Sequence, residues 1–298
     1  MTFRSSFLKK AIQRVIFFPA LILLLFFYRG LSLSRVMAET TKAYGLAARP
    51  ESKAYLSMPS LANGKLPTLL SQTGAFTDTP RMIPNGGLIP YDLIVPFWSD
   101  GAEKSRWISV PPGQKIKFAP TGEWSFPPGT VFVKTFELAM DETSPGIKRR
   151  LETRLLVCDA NGGVYGVSYK GRADNSDADL LPTNLTETIS IKTATGVRTQ
   201  DWYYPSRQDC LTCHTANAGL VLGVKTRQLN RPMTYASGVT DNELRAWNHA
   251  GLFDTHLTDA DLKALPALAR IDDPTRSLTD RARSYLDANC AQCHRPKG

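Results

Sequence analysis

The apolar positions of this chain change period three times, and each change marks a different kind of structure. Residues 15–28 are an unbroken apolar run. From about residue 69 to 204 the runs are short and alternate. Over residues 130–138 Phe132, Phe136 and Leu138 recur on one face, as a half-buried strand requires. Residues 151–158 and 164–169 are two further runs joined by Asp159-Ala160-Asn161-Gly162-Gly163, a strong hairpin connection because Asn and Gly accept positive φ. Residues 188–192 and 197–204 flank Gly196 in the same manner. Pro111, Pro112, Pro120, Pro127 and Pro128 exclude long helices between them. The pattern predicts an antiparallel β-sandwich.

Beyond residue 205 the pattern turns helical. Thr240-Asp241-Asn242-Glu243 matches a capping box, for a helix carrying Leu244 and Trp247 on one face and stopping at Gly251. Residues 258–265 predict a short helix ended by Pro266. Ser277-Leu278-Thr279-Asp280 opens another, which carries Ala282, Tyr285 and Leu286 up to Cys290. The expected fold class is therefore multidomain α+β. An antiparallel β-sandwich-like domain over residues 69–205 precedes a helical region over 206–275, and residues 276–298 begin a second helical unit that stops short. Residues 39–68 read as a linker.

The helical part holds the chemistry. Cys210-Leu211-Thr212-Cys213-His214 and Cys290-Ala291-Gln292-Cys293-His294 are both C-x-x-C-H units, the attachment signature of c-type haem. On one helical turn the cysteines at i and i+3 and the histidine at i+4 project from nearly one face, so a single planar ligand can meet all three. The thiols would form thioethers with the haem vinyl groups and the imidazole would bind iron. Zinc and disulfide chemistry are the rival readings, but zinc does not require a His directly after the second Cys. Two haem c groups are expected, held by Cys210, Cys213, Cys290 and Cys293, with His214 and His294 as iron ligands.

A distal ligand is normally Met or His. Of the four histidines, His249 and His256 remain, and His249 on its capped helix beside Ala246 and Ala250 ranks ahead of Met233 in its Arg231-Pro232-Met233 loop. His256 reads as a loop residue. Between residues 39 and 209 there is no histidine, so no His-based catalysis or metal site is expected there. In that region Trp98 and Trp107 read as core or as a binding surface, Lys148-Arg149-Arg150 as a solvated strand entry, and Cys158 as a small buried hydrophobe.

Composition changes the picture only at the N-terminus. The chain has 298 residues, 42 % hydrophobic and 21 % charged, and a formal charge of +9. Six of its 36 basic residues (Arg4, Lys9, Lys10, Arg14, Arg29, Arg35) lie in residues 1–38, which hold no acid, leaving 30 basic against 27 acidic and about +3. The excess is a targeting feature, and no nucleic-acid partner is expected. Residues 1–38 read as an export signal: a positive start, the 14-residue apolar run 15–28, and Val36-Met37-Ala38 before Glu39. The run is shorter than the ~20 residues that cross a bilayer. Cleavage is expected, with an uncleaved anchor in the inner membrane as the alternative. Either outcome gives a periplasmic or otherwise exported protein.

Taken together, several longer runs make the chain resemble a largely uncharacterised bacterial family of exported two-haem c-type cytochromes. They are residues 87–92 (GLIPYD), 96–101 (PFWSDG), 150–154 (RLETR), 202–207 (WYYPSR) leading into Cys210, 227–231 (RQLNR) and 282–290 (ARSYLDANC). The resemblance runs from about Leu69 to the last residue, and its final segment is similar to the opening helix of a cytochrome c domain. It implies that Cys210, Cys213 and His214 hold a first haem and Cys290, Cys293 and His294 a second. It also implies that a later segment supplies the second distal methionine. The function expected is electron transfer between redox partner proteins outside the cytoplasm. The alternatives are a haem enzyme of diheme peroxidase-like type, or a β-domain binding module wired by haem.

Overall fold

The computed structural model describes residues 43–49 and 56–296, and the predicted export segment over 1–38 lies outside them. The chain divides into residues 1–43 and 44–298, and every helix and strand named here belongs to the second unit. The elements in order are β1 (Phe76–Asp78), β2 (Ile83–Pro84), β3 (Ile89–Pro90), β4 (Glu103–Ser109), β5 (Val131–Ala139), β6 (Lys148–Cys158), β7 (Val164–Gly171), β8 (Ala178–Leu180), β9 (Leu185–Thr193) and β10 (Gly196–Tyr204). Then come α1 (Arg207–Cys213), α2 (Thr226–Leu229), β11 (Pro232–Thr234), β12 (Thr240–Asn242), α3 (Glu243–His249), α4 (Asp259–Ala264) and α5 (Leu278–Asn289). Among the described residues no helix is long and apolar enough to cross a membrane.

Strands β3 to β8 form one six-stranded antiparallel sheet in chain order. Its long central strands are β5, β6 and β7, which are rich in β-branched and aromatic residues and buried on both faces along most of their length. The predicted hairpins are both present: β6 pairs with β7 across residues 159–163, and β9 pairs with β10 across Gly196.

The alternation of side chains gives the sheet two different faces. On one, Val133, Leu155, Val157, Val167 and Tyr169 pack under Leu70, Phe76 and Leu88 in a closed apolar core. Residues 56–66, expected to be linker, cover part of this face through Leu56, Met58 and Leu66. The other face is divided. At one end Phe136 and Leu151 meet Ile189, Ile191, Trp202 and Tyr204 of the β9–β10 hairpin. At the other, Ile108 and Phe132 meet an aromatic cluster of Trp124, Trp247 and Phe253. Between these two cores the face is left open.

This architecture bears out the β-rich part of the expectation and changes its detail. The second layer is a two-stranded hairpin with helices and loops, not a second full sheet. Residues 206–275 do not form a helical domain of their own, because α3 sends Leu244 and Trp247 into the same core as Ile108 and Phe132. The α3 cap is also shifted. Asn242, not Thr240, accepts from the amides of Leu244 and Arg245, since Thr240 is held in β12 opposite Thr234. The helix ends at His249, with Gly251 in the left-handed region. Helices α4 and α5 begin as predicted, at Thr258 and Ser277.

Two surface expectations divide similarly. Of Lys148-Arg149-Arg150, only Lys148 is a solvated entry. Arg149 pairs with Glu187 at 2.7 Å, and Arg150 is buried, donating to the carbonyls of Thr79 and Pro80. Trp107 is core, whereas Trp98 is 61 % exposed.

Candidate functional site

The open part of the sheet is the floor of a cavity of about 550 Å³, within the range of small-molecule and cofactor sites. Helix α1 lies over it. Ser206 caps α1 and exchanges hydrogen bonds with Asp209, which also accepts from Tyr203 Oη at 2.7 Å. The capping fixes where the helix begins, and Cys210 and Cys213 follow within it.

Gly166 on β7 permits the contact between helix and sheet. A Cβ built there would lie 2.5 Å from Cys210 Sγ, so only glycine leaves room for the thiol against the strand. Burial raises the Cys210 thiol above its ordinary pKa.

His214 follows the last residue of α1, its amide bonded to the Cys210 carbonyl at 3.0 Å. Its Nδ1 lies 2.6 Å from the carbonyl oxygen of Leu220. Because a carbonyl can only accept, Nδ1 carries the proton and donates it, which leaves the Nε2 lone pair for a ligand. Burial lowers the pKa of the imidazole and so favours this neutral form. Leu220 adopts φ of +63°, a conformation that costs a non-glycine residue about 1 kcal/mol or more. That strain sits on the residue whose carbonyl orients the imidazole.

The second motif repeats the first locally. Helix α5 ends at Asn289, and the amides of Cys293 and His294 both reach the Cys290 carbonyl, at 3.1 and 2.9 Å. In each motif the His amide closes a turn onto the carbonyl of the first Cys, in the first at the end of α1 and in the second just beyond the end of α5. Their settings differ: Cys290 is half-buried, while Cys293 and His294 are exposed. The end of α5 nevertheless walls the first cavity through Asp287, Ala288, Ala291 and Gln292. Asp287 fastens it there, pairing with Arg227 at 2.7 Å and Lys225 at 3.4 Å. The motifs are near neighbours, since charge on Cys293 contributes, after burial, to raising the Cys213 thiol.

Neither predicted distal residue lines this cavity. His249 is stacked on the Tyr44 ring with centroids 3.6 Å apart, so a flat side chain of the protein fills the space beside Ala246 and Ala250. Met233 lies half-buried on β11, opposite Asp241. His256 is in an exposed loop, and Cys158 is buried, its thiol pushed up to about 12 mainly by that burial. Among the described residues no group of three His, Cys, Asp or Glu side chains is arranged to hold a metal ion.

Sequence reading missed the cations on the floor. Strand register sets Arg106 opposite Lys134 and Lys134 opposite Arg154, a row across β4, β5 and β6. The signal was present in the chain: Lys134 stands between Phe132 and Phe136, at an inward position of an alternating strand. Burial, followed by the charges of Arg106 and Arg154, holds its ammonium well below the ordinary lysine range. Arg154 forms a two-pronged pair with Glu152 at 2.6 and 2.9 Å. Arg106 pairs with Asp92 at 2.6 Å.

Behind Asp92 lies Glu243, fully buried, with one carboxylate oxygen accepting from the Asp92 amide at 2.8 Å and the other unpartnered. Burial pushes its pKa from 4.5 up to about 8. The folded protein therefore keeps this proton at neutral pH where the unfolded chain releases it. Its contribution to stability is lost as pH rises from about 4.5 to about 8. Glu243→Gln keeps the acceptor for Asp92 and removes the titration. The variant should match wild type near pH 4 and exceed it by about 4 kcal/mol at pH 8, read from urea midpoints.

No protein-family model, curated protein or solved structure matches this chain.

Proposed function

We propose that this chain is an exported c-type cytochrome that passes electrons between redox partner proteins outside the cytoplasm. The observation that carries the reading is the arrangement of the first motif. Cys210 and Cys213 lie on a capped helix over a cavity of about 550 Å³, and His214 is held by Leu220 with its Nε2 lone pair free. Cys210 and Cys213 would bind the haem vinyl groups and His214 the iron, with Cys290, Cys293 and His294 taking the same roles at a second site. Bound haem supplies reversible one-electron exchange.

The protein's own residues set the conditions for that exchange. The Leu220 carbonyl fixes the imidazole tautomer and raises its basicity. Phe132, Leu156 and Val221 supply apolar walls that exclude water. On this proposal residues 206–275 are a cytochrome c-like haem region built onto the sheet, and Cys290, Cys293 and His294 belong to a second haem-binding segment. The location that suits the function is periplasmic or otherwise exported, with the membrane reached only through the N-terminal segment if it is uncleaved.

The test is intact mass with a pyridine haemochrome spectrum, on full-length chain exported from a host that attaches c-type haem. Two thioether-bound haems are expected. The double variant Cys290→Ser, Cys293→Ser should lose one and keep the other. A wild-type chain with none would overturn the reading.

One observation favours the haem-enzyme alternative: among the described residues that line the cavity, His214 is the only His or Met. An iron bound there with an exchangeable distal position would bind carbon monoxide and cyanide. Ferrous and ferric spectra unchanged by either would exclude it.

A further inference from the structure

We propose that the row Arg106, Lys134 and Arg154 is a carboxylate receptor, holding the propionate groups of the haem in this cavity; the proposal rests on the cytochrome reading. Its basis is an imbalance of charge. Like charges directly opposite on neighbouring strands destabilise a sheet, and here three cations are adjacent across two ladders.

Their partners cover only part of the row. Asp92 answers one nitrogen of Arg106, and Glu152 answers Arg154. The second terminal nitrogen of Arg106 is buried with no hydrogen-bond partner. Lys134 sits between the two arginines with no carboxylate at ion-pair distance among the described residues, its Nζ 4.7 Å from the centre of the Phe136 ring. That ring also underlies Arg154, at 4.6 Å.

On the far wall Lys225, Arg227 and Arg295 share Asp287 and Glu123, also three cations to two carboxylates, but each of those cations stands in an ion pair. Among the described residues Lys134 alone of the six stands in none, and it lines the same cavity as Cys210, Cys213 and His214. Haem carries its two carboxylates on the edge away from the vinyl groups. A macrocycle tethered through its vinyls to Cys210 and Cys213 has to direct that edge to one side of the cavity, and the row is where an anion is wanted. Charge-assisted bonds of this kind are roughly twice as strong as neutral ones.

Apo full-length chain can be titrated with haemin and with haemin dimethyl ester, which lacks the charged groups. Wild type is expected to prefer the acid at least tenfold. Lys134→Met should lose the preference, and Lys134→Arg should keep it. Melting of the apo variants checks the fold, and Lys134→Met should be no less stable than wild type, because a like charge leaves the row. Should Lys134→Met fail to fold, Lys134→Gln serves in its place.

Equal binding of acid and ester by wild type would overturn the carboxylate receptor and leave the haem reading intact. Binding of neither, together with a matured chain that carries no haem, would overturn both. If succinate stabilises apo wild type but not Lys134→Met, and the porphyrins are not distinguished, the row serves a free carboxylate and the proposal fails.

Discussion

Glu152→Ala is expected to destabilise the protein by about 3 kcal/mol, measured by chemical denaturation. Glu152 is fully buried on β6 and satisfies two groups at once. It binds the Arg154 guanidinium through both oxygens and accepts from Trp202 Nε1 at 3.0 Å. Alanine leaves the indole N–H buried without an acceptor. It also leaves Arg154 beside Lys134 with no counter-charge, although Arg154 is one-third exposed and water recovers some of that loss. Glu152→Gln retains an acceptor for Trp202 and should cost about half as much. Because the two cations are neighbours, Lys134→Met added to Glu152→Ala should restore part of the stability, a coupling that a double-mutant cycle reads directly.

Gly166→Ala is expected to lift α1 from the sheet. The new methyl would stand 2.5 Å from Cys210 Sγ and 2.7 Å from its Cβ, and the glycine is fixed within the central ladder of β6 and β7. The helix has to move, at a cost of about 2 kcal/mol. In the haem-free chain the displaced thiol loses its burial, so Cys210 should be alkylated at least several-fold faster than in wild type while Cys213, already exposed, changes little. Unchanged Cys210 reactivity would mean that the strand yields instead of the helix. In the matured chain the same substitution should give single-thioether attachment, visible by peptide mapping.

Local patterns in the sequence identified the elements, because local forces make them. The alternation at Phe132 and Phe136, the Asn161-Gly162 turn and the serine cap at Ser277 each act within a few residues. Both C-x-x-C-H motifs were legible for the same reason, since each lies within five consecutive residues. What escaped was long-range. The receptor row joins residues 106, 134 and 154, and no window of local sequence contains it; only strand register does. The helical region was read as a separate domain because its period differs from that of the strands. Period says nothing of which core a helix enters, and Trp247 enters the sheet's. His249 escaped for a related reason: the partner that occupies its face, Tyr44, lies far away in the chain.

The wall formed by Asp287, Ala288 and Ala291 has a consequence for assembly. It comes later in the chain than the sheet floor, than α1 and than the loop that holds His214. A chain made from its N-terminus completes those parts first. Until the carboxylate of Asp287 reaches Lys225 and Arg227, the chamber has a missing side. On the cytochrome reading, a bulky planar guest would enter sideways at that stage. The last helix would then act as a bolt as well as a wall, and the order of synthesis would double as the order of loading and locking.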